Sequence, residues 1–146
     1  MMSKLPYVDS YKDLMVYSKA RELSREIYQI SKDFPSDESY SLTSQIRRSS
    51  HSIGAQIAEA WAKRIYKKHF ISKLTDSDAE VNETEHWIDI AYDCGYLNKE
   101  DNQKLTAACR EIGRLIGGII SKADMFCGQK EPSIKEGNSS LTYPEH

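Results

Sequence analysis

Apolar residues recur at intervals of three and four along most of the chain, which is the spacing of amphipathic helices. In the clearest row the steps of four and three alternate without interruption, through Phe70, Leu74, Ser77, Val81, Thr84, Ile88 and Ala91. This is a heptad a/d pattern, typical of helices that lie almost parallel or antiparallel to their neighbours in bundles. It predicts one long helix at about residues 67–94.

Three further apolar rows predict three more helices, at about residues 11–33, 38–63 and 98–126. The second of these is rich in small side chains, such as Ser49, Ser50 and Gly54, which let a neighbouring backbone approach closely. The boundary between the second and third helices contains no Gly or Pro. We place it near Lys63–Tyr66, because a continued helix would bury unpaired lysine and arginine side chains at a cost of roughly several kcal/mol each.

Four helices joined mostly by short connections predict an all-α fold, an antiparallel up-down-up-down four-helix bundle. We expect residues 11–126 to form this bundle, after an N-terminal extension (1–10) and before a C-terminal tail (127–146) that is predicted to be flexible because it is rich in Pro, Gly and Ser. Ser10 and Asn98 are predicted to cap the starts of the first and fourth helices. Gly95 is predicted to end the third helix as a C′ glycine.

The fourth helix carries more apolar surface than a bundle core needs. Its first row consists of Leu105, Ala108, Ile112, Leu115, Ile119 and Ala123. A second row, beside the first, consists of Cys109, Ile116 and Ile120. We expect this excess apolar face, with Ile116 and Ile120, to contact another subunit.

Charge is distributed unevenly, although the formal net charge is only −2. Residues 43–73 carry seven Lys or Arg and one Glu, whereas residues 74–101 carry nine Asp or Glu and one Lys. Glu85, Asp89 and Asp93 follow one another at intervals of four on the third helix, where like charges destabilise an isolated helix. One interpretation is a solvated face. The other is a subunit interface, flanked by Trp87 and neutralised by Arg47 and Arg48 of another protomer in a head-to-tail ring.

The basic residues are candidates for nucleic-acid binding, and a merely solvated surface is the alternative. They are Arg47, Arg48, Lys63, Arg64, Lys67 and Lys68. Arg47 and Arg64 would lie roughly 25 Å apart along a straight helix. One protomer therefore offers two separate basic spots, which only an oligomer could join into a continuous nucleic-acid surface.

No nucleophile, phosphate-loop or dinucleotide motif is present, so we expect no catalytic residue and no cofactor. One E-x-x-H pair, Glu83 and His86, falls at outward heptad positions, and a di-iron site would need a second pair and two more inward Glu residues. We therefore expect no metal. Cys94 and Cys109 are expected to be at least half-buried free thiols. The odd number of cysteines and the absence of a signal peptide or a long apolar run indicate a cytoplasmic protein without a membrane segment.

Several short motifs match those of a known bacterial family. They are Tyr11-Lys12-Asp13-Leu14, Phe34-Pro35, Gln45-Ile46-Arg47-Arg48, Gln56-Ile57-Ala58-Glu59, Trp87-Ile88 and Gly95-Tyr96-Leu97. Through them, residues 8–126 resemble the four-helix-bundle family of 23S ribosomal RNA intervening-sequence proteins, which includes the accessory variability protein of diversity-generating retroelements. The family usually has Asn at the position of Gln56 and Gly at the position of Ala60, and neither change removes a core position.

The resemblance implies a homopentameric ring. For the retroelement relatives it also implies binding of nucleic acid and of a reverse transcriptase through basic surface residues. Arg47 and Arg48 stand at positions that match the family motif. The resemblance makes them candidates for RNA contact or for subunit pairing. The sequence therefore favours a non-enzymatic, homo-oligomeric accessory protein that binds RNA or DNA. A protein–protein assembly module without nucleic-acid affinity is the alternative.

Overall fold

Four long α-helices make up most of the computed structural model, which describes residues 8–127. Their bounds, with those of a one-turn helix that follows them, are Met15–Ser31 (α1), Leu42–Ala62 (α2), Lys67–Asp93 (α3), Lys99–Ser121 (α4) and Ala123–Phe126 (α5). Single 3-10 turns, Tyr11–Asp13 and Ser36–Glu38, precede α1 and α2. No β-strand occurs between residues 8 and 127, and the predicted all-α class is confirmed.

Each long helix packs against its neighbours in the chain, and α4 also packs against α1. The diagonal pairs, α1 with α3 and α2 with α4, share no close backbone contacts. Ion pairs between α2 and α3 fix their relative direction. Arg48, early in α2, pairs with Glu83, late in α3, whereas Lys73, early in α3, pairs with Glu59, late in α2. These two helices are therefore antiparallel, in keeping with an up-down-up-down bundle.

The heptad row of α3 is buried along its whole length. All seven predicted residues, from Phe70 to Ala91, are at most 2% exposed. The predicted rows of α1 and α2 supply Leu23, Ile27, Ile46, Ile53 and Ile57, each at most 1% exposed. Burial of one such side chain stabilises a fold by about 1.5–3 kcal/mol. The core therefore lies where the apolar spacing of these three helices predicts it.

Small and hydroxylated side chains line the contact between α2 and α3. Ser49, Ser77 and Thr84 are all 0% exposed. Ser77 Oγ donates a hydrogen bond to the Ile53 carbonyl at 2.9 Å, and Thr84 Oγ1 donates to Ser49 Oγ at 2.9 Å. These bonds offset the cost of burying the hydroxyl groups. The small side chains let the two backbones come close.

The first helix begins later than predicted. Ser10 does cap a turn, since its Oγ accepts from the Lys12 N–H and its own N–H donates to the Asp13 carboxylate, but that turn is the 3-10 segment. Leu14 then adopts an extended backbone (φ −80°, ψ 132°), and α1 begins at Met15. The Leu14 side chain is 8% exposed. A capping motif alone does not distinguish a 3-10 turn from the first turn of an α-helix.

The second helix also begins later than the predicted residue 38, at Leu42 after the 3-10 turn Ser36–Glu38, whereas several other helix ends agree with the prediction. α2 ends at Ala62 and α3 begins at Lys67, so the break near Lys63–Tyr66 is confirmed. Gly95 has a φ of 82°, as expected of a C′ glycine. Asn98 Oδ1 accepts from the Asp101 N–H at 2.7 Å and so caps α4. The predicted fourth helix is interrupted at Lys122, which separates α4 from α5.

The predicted fourth helix buries part of the predicted row, with Leu105, Ile112 and Ala123, but Cys109 and Ile116 of the second row complete its core face. Its most buried row, at most 1% exposed, is Leu105, Cys109, Ile112 and Ile116. Half-buried instead are Ala108, Leu115, Ile119 and Ile120. Ile116, expected at a subunit interface, therefore belongs to the core of its own protomer, and of that pair only Ile120 keeps exposed surface. The physical reason is that α4 packs more extensively on α3 than on α1, which turns the Cys109–Ile116 row inward.

The three cysteines, all within residues 8–127, form no disulfide bond. Cys109 and Cys127 are buried, and burial raises the pKa of the Cys109 thiol to about 12. Cys94 is exposed, contrary to the expectation of at least half-burial, because it lies at the C-cap of α3 rather than inside the helix.

The two segments predicted to flank the bundle fall largely outside the described residues. The predicted N-terminal extension (1–10) is described from Val8 onward, and the predicted tail (127–146) only at Cys127, whose side chain is 8% exposed. Between residues 8 and 127, none of the helices has the length and apolar character needed to cross a bilayer.

Candidate nucleic-acid interface

The predicted acidic interface residues lie on α3, and two of the three have partners within the chain. Glu85 Oε2 accepts a hydrogen bond from Arg110 of α4 at 2.9 Å, and Asp89 Oδ1 accepts one from Asn102 at 3.4 Å. Asp93 is exposed near the end of α3. Arg110 of the same protomer therefore provides part of the positive charge that the interface hypothesis assigns to a second protomer.

Arg47 connects α2 to α1. Its Nε donates to Ser31 Oγ at 2.7 Å, and its guanidinium carbon lies 4.5 Å from the centre of the Tyr28 ring. Ser31 is buried and is the last residue of α1. A cation over an aromatic ring contributes roughly 0.5–1 kcal/mol at exposed sites. Arg47 therefore fastens the end of α1 to the start of α2.

Arg48 connects α2 to α3. Its guanidinium pairs with the carboxylates of Glu80, at 3.5 Å, and of Glu83. Glu83 also accepts a hydrogen bond from Trp87 Nε1 at 3.0 Å. The bonds from Trp87 and from Arg48 hold the pKa of Glu83 below its usual value, and Glu83 in turn raises the pKa of Arg48. Trp87, predicted beside the acidic interface, is half-buried and orients this carboxylate.

The two neighbouring arginines thus make contacts inside the bundle and lie apart from the other four basic candidates. Arg48 precedes Lys63, the C-cap of α2, by 15 residues, or roughly 22 Å along the helix axis. The structure keeps the predicted division into two basic spots. In the first spot both guanidinium groups hold helices together, and in the second the cations surround a chain reversal.

The second basic spot is the connection between α2 and α3, and we call residues 61–69 the basic turn. Within it lie Lys63, Arg64, Lys67 and Lys68, all on the four-residue connection or in the first turn of α3. No ion pair of Lys63 or Lys68 occurs within the described residues 8–127. The Arg64 guanidinium lies 3.8 Å from the centre of the Trp61 ring and donates to the Trp61 carbonyl at 2.9 Å. Burial lowers the pKa of Arg64, a group that stays protonated at neutral pH.

The basic turn also carries apolar and aromatic side chains that were not among the predicted site residues. Ile65 is 49% exposed and Tyr66 is 44% exposed. The His69 ring lies 5.4 Å from the Tyr66 ring, measured between centroids. The available signal was the alternation of cations with these residues between Lys63 and His69. Such an alternation is typical of surfaces that bind both phosphates and bases.

The short helix α5 packs beside the basic turn. Lys67 Nζ lies 2.7 Å from Asp124 Oδ1, and the Phe126 ring stacks on Phe70 at the start of α3. Lys122, exposed between α4 and α5, adds a cation at this end of the bundle. Residues 61–69 and 121–127 therefore hold five Lys or Arg and a single carboxylate, that of Asp124.

No group of three or more His, Cys, Asp or Glu side chains placed to hold a metal ion occurs in the part of the chain that the structure describes. Glu83 of the E-x-x-H pair is occupied by Arg48 and Trp87. His86 is exposed, with its ring 4.7 Å from the Trp87 ring.

The geometry defines the class of the protein as a four-helix bundle with four Lys or Arg gathered at the connection between α2 and α3. The chain belongs to the 23S rRNA-intervening sequence protein family, whose sequence profile matches residues 12–118, so the resemblance seen in the sequence is confirmed. It is similar to a crystal structure of a protein with unknown function from the S23 ribosomal protein family of Bacteroides thetaiotaomicron VPI-5482, with 30% sequence identity and a TM-score of 0.65. That similarity covers 73% of this chain and 98% of the other. None of the curated proteins matches the chain.

Proposed function

We propose that the protein is a non-catalytic, homo-oligomeric accessory protein that binds nucleic acid through the basic turn. The observation that carries this proposal is the gathering of Lys63, Arg64, Lys67 and Lys68 around one short connection at one end of the bundle. Membership of a family named for a segment of ribosomal RNA supports nucleic acid as the partner. Three cysteines without a disulfide bond are in keeping with a reducing compartment, and we place the protein in the cytoplasm.

Phosphate groups would supply most of the affinity. Lys63 and Lys68 have no ion pair within residues 8–127, so a phosphate would meet them without first displacing a carboxylate. Lys67 would exchange Asp124 for a phosphate at little cost, because a surface ion pair contributes only about 0–1 kcal/mol. Binding of this kind is largely electrostatic and weakly sequence-specific, since contacts to phosphates carry no direct base information.

An oligomer would multiply these contacts. Leu115, Ile119 and Ile120 of α4 remain half-buried in the protomer, and Met15 of α1 is 61% exposed, so apolar surface is left for a second copy. A ring, pentameric as the family resemblance implies, would repeat the basic turn around its axis. Such repetition raises avidity without any new kind of contact.

The experiment replaces Lys63 and Lys68, the two lysines of the basic turn that have no ion pair within residues 8–127. Lys63→Gln with Lys68→Gln should weaken binding of an oligonucleotide about tenfold or more at low salt, because each phosphate contact releases bound counterions. The matched control is Lys32→Gln with Lys99→Gln, which removes the same charge from exposed lysines at the opposite end of the bundle. The measurement is fluorescence anisotropy of a labelled oligonucleotide, with circular dichroism to verify that helicity is kept. Equal losses in both double variants would mean that only net charge matters.

A protein–protein assembly module without nucleic-acid affinity is the second candidate, and the half-buried apolar side chains of α4 favour it. The partner would be the protein itself and, in a chain encoded beside one, also a reverse transcriptase. Both candidates require self-association. We expect light scattering to give a mass of several protomers at tens of micromolar, and Ile120→Glu to lower that mass while leaving the melting temperature within a few degrees. A monomeric wild-type protein would contradict both candidates.

A further inference from the structure

Within the proposed function, we infer that the basic turn recognises unpaired nucleotides in preference to duplex. The reason lies in the side chains that stand between its cations. Ile65 and Tyr66 follow one another in the chain and are each more than two-fifths exposed, at 49% and 44%. A site that bound only the phosphates of a duplex would gain nothing from the Ile65 side chain or from the face of the Tyr66 ring, because phosphate contacts are made by charged and hydrogen-bonding groups.

Unpaired nucleotides differ from a duplex in the faces of their bases. In a duplex each base is stacked between its neighbours, so a side-chain ring cannot reach a base face without unstacking the helix. A single strand offers phosphates and base faces in alternation, and proteins that bind it combine cations with rings on which the bases stack. The basic turn has this composition, with the rings of Tyr66 and His69 between and beside Arg64, Lys67 and Lys68.

The position of the Arg64 side chain also supports unpaired nucleotides as the ligand. Its guanidinium lies on the Trp61 ring at 3.8 Å, and a hydrogen bond to the Trp61 carbonyl fixes it there. A planar guanidinium held on one face by an indole ring directs its other face away from that ring. Nucleic-acid-binding proteins use such guanidinium planes, as well as aromatic rings, to stack unpaired bases. Arg64 is therefore placed to contribute stacking in addition to charge.

An anionic membrane would also attract these cations, but the apolar part of the surface suits it less well. Peripheral binding depends on the apolar area that a segment inserts into the bilayer interface. The four-residue connection and the first turn of α3 offer only Ile65 and Tyr66 as exposed large apolar side chains. Nucleic acid is the partner that uses the rings and the cations together.

The test compares the affinities of the 146-residue chain for the single-stranded and the duplex form of one oligonucleotide. A labelled single strand of about 20 nucleotides, chosen to lack self-complementarity, is titrated by fluorescence anisotropy alone and after annealing to its complement. Duplex has the higher charge density, so charge alone would favour the duplex. We expect the single strand to bind about tenfold more tightly, which is the gain that one stacked base supplies.

Three variants separate stacking from charge. Tyr66→Ala should weaken single-strand binding about tenfold and leave duplex binding within about twofold, whereas Tyr66→Phe keeps the ring and should keep single-strand binding. Tyr92→Ala is the matched control, because Tyr92 is 40% exposed on α3 at the opposite end of the bundle. It should change neither affinity. If Tyr66→Ala fails to fold, the preference of the wild-type protein and the behaviour of Tyr66→Phe still decide the question.

The outcomes distinguish this inference from the proposed function. Equal or tighter binding of the duplex, or an unchanged single-strand affinity in Tyr66→Ala, would overturn the preference for unpaired nucleotides and leave nucleic-acid binding intact. Failure to bind either form at micromolar protein would overturn both. Binding to vesicles that contain about 30% phosphatidylserine, without binding to either oligonucleotide, would replace nucleic acid by an anionic membrane.

Discussion

Insertion of one alanine after Val81 is expected to unfold the bundle. An α-helix turns about 100° per residue, so the insertion rotates Thr84, Ile88 and Ala91 away from the core. All three are 0% exposed. Loss of one large buried aliphatic side chain costs about 2–5 kcal/mol, and the rotation also carries the charged residues between them toward the core. The total approaches or exceeds the whole stability of an ordinary domain, about 5–15 kcal/mol.

Circular dichroism during thermal and urea denaturation measures this effect. The control is an alanine inserted after Tyr40, which is 97% exposed in the connection between α1 and α2. We expect the control to melt within a few degrees of the wild-type protein, since a surface loop tolerates one extra residue. An insertion after Val81 that left the melting temperature unchanged would show that the heptad row of α3 does not hold the bundle together.

Ser49→Leu should destabilise the protein by about 3 kcal/mol through overpacking between α2 and α3. Ser49 is 0% exposed, and its Oγ accepts the hydrogen bond from Thr84 Oγ1 at 2.9 Å. A leucine there needs space that the close approach of the two backbones does not leave. It also removes one of the two oxygens within reach of the Thr84 hydroxyl proton, and the Glu80 carbonyl, 2.8 Å away, remains as its acceptor.

The matched control for this substitution is Ala55→Leu, on the exposed side of the same helix. It adds a leucine to α2 without entering the contact, so we expect a change within about 0.5 kcal/mol. Urea denaturation gives both free energies of unfolding. Equal stabilities for the two variants would mean that α2 and α3 can separate at little cost, and that the small residues of α2 do not specify the packing.

The two apolar patterns of the sequence had different predictive value. All seven core residues of α3 could be predicted, because a single heptad row leaves one choice of buried face. On α4 two rows lie side by side, and Cys109 and Ile116 proved to be more buried than Ala108 and Leu115. Which row faces inward depends on how closely α4 packs on α3 and on α1, and this is a property of the assembled bundle.

The same distinction holds for the basic residues. The four cations of the basic turn lie within six positions of one another, so the break between α2 and α3 brings them together and the sequence predicts the cluster. The partners of Arg48, in contrast, are Glu80 and Glu83, which are 32 and 35 positions away in the chain. The contribution of these ion pairs to joining α2 and α3 can be predicted only when the antiparallel register of the two helices is known.

The salt dependence of oligonucleotide binding tests the role of the basic turn most directly. The logarithm of the wild-type affinity for a single strand should fall linearly with the logarithm of salt concentration, by about 0.7 for each phosphate that is neutralised. Lys63→Gln with Lys68→Gln should make that slope shallower by about 1.4, whereas Lys32→Gln with Lys99→Gln should leave it unchanged. The same slope in all three proteins, or no binding by the wild-type protein at about 50 mM salt, would contradict nucleic-acid binding through the basic turn.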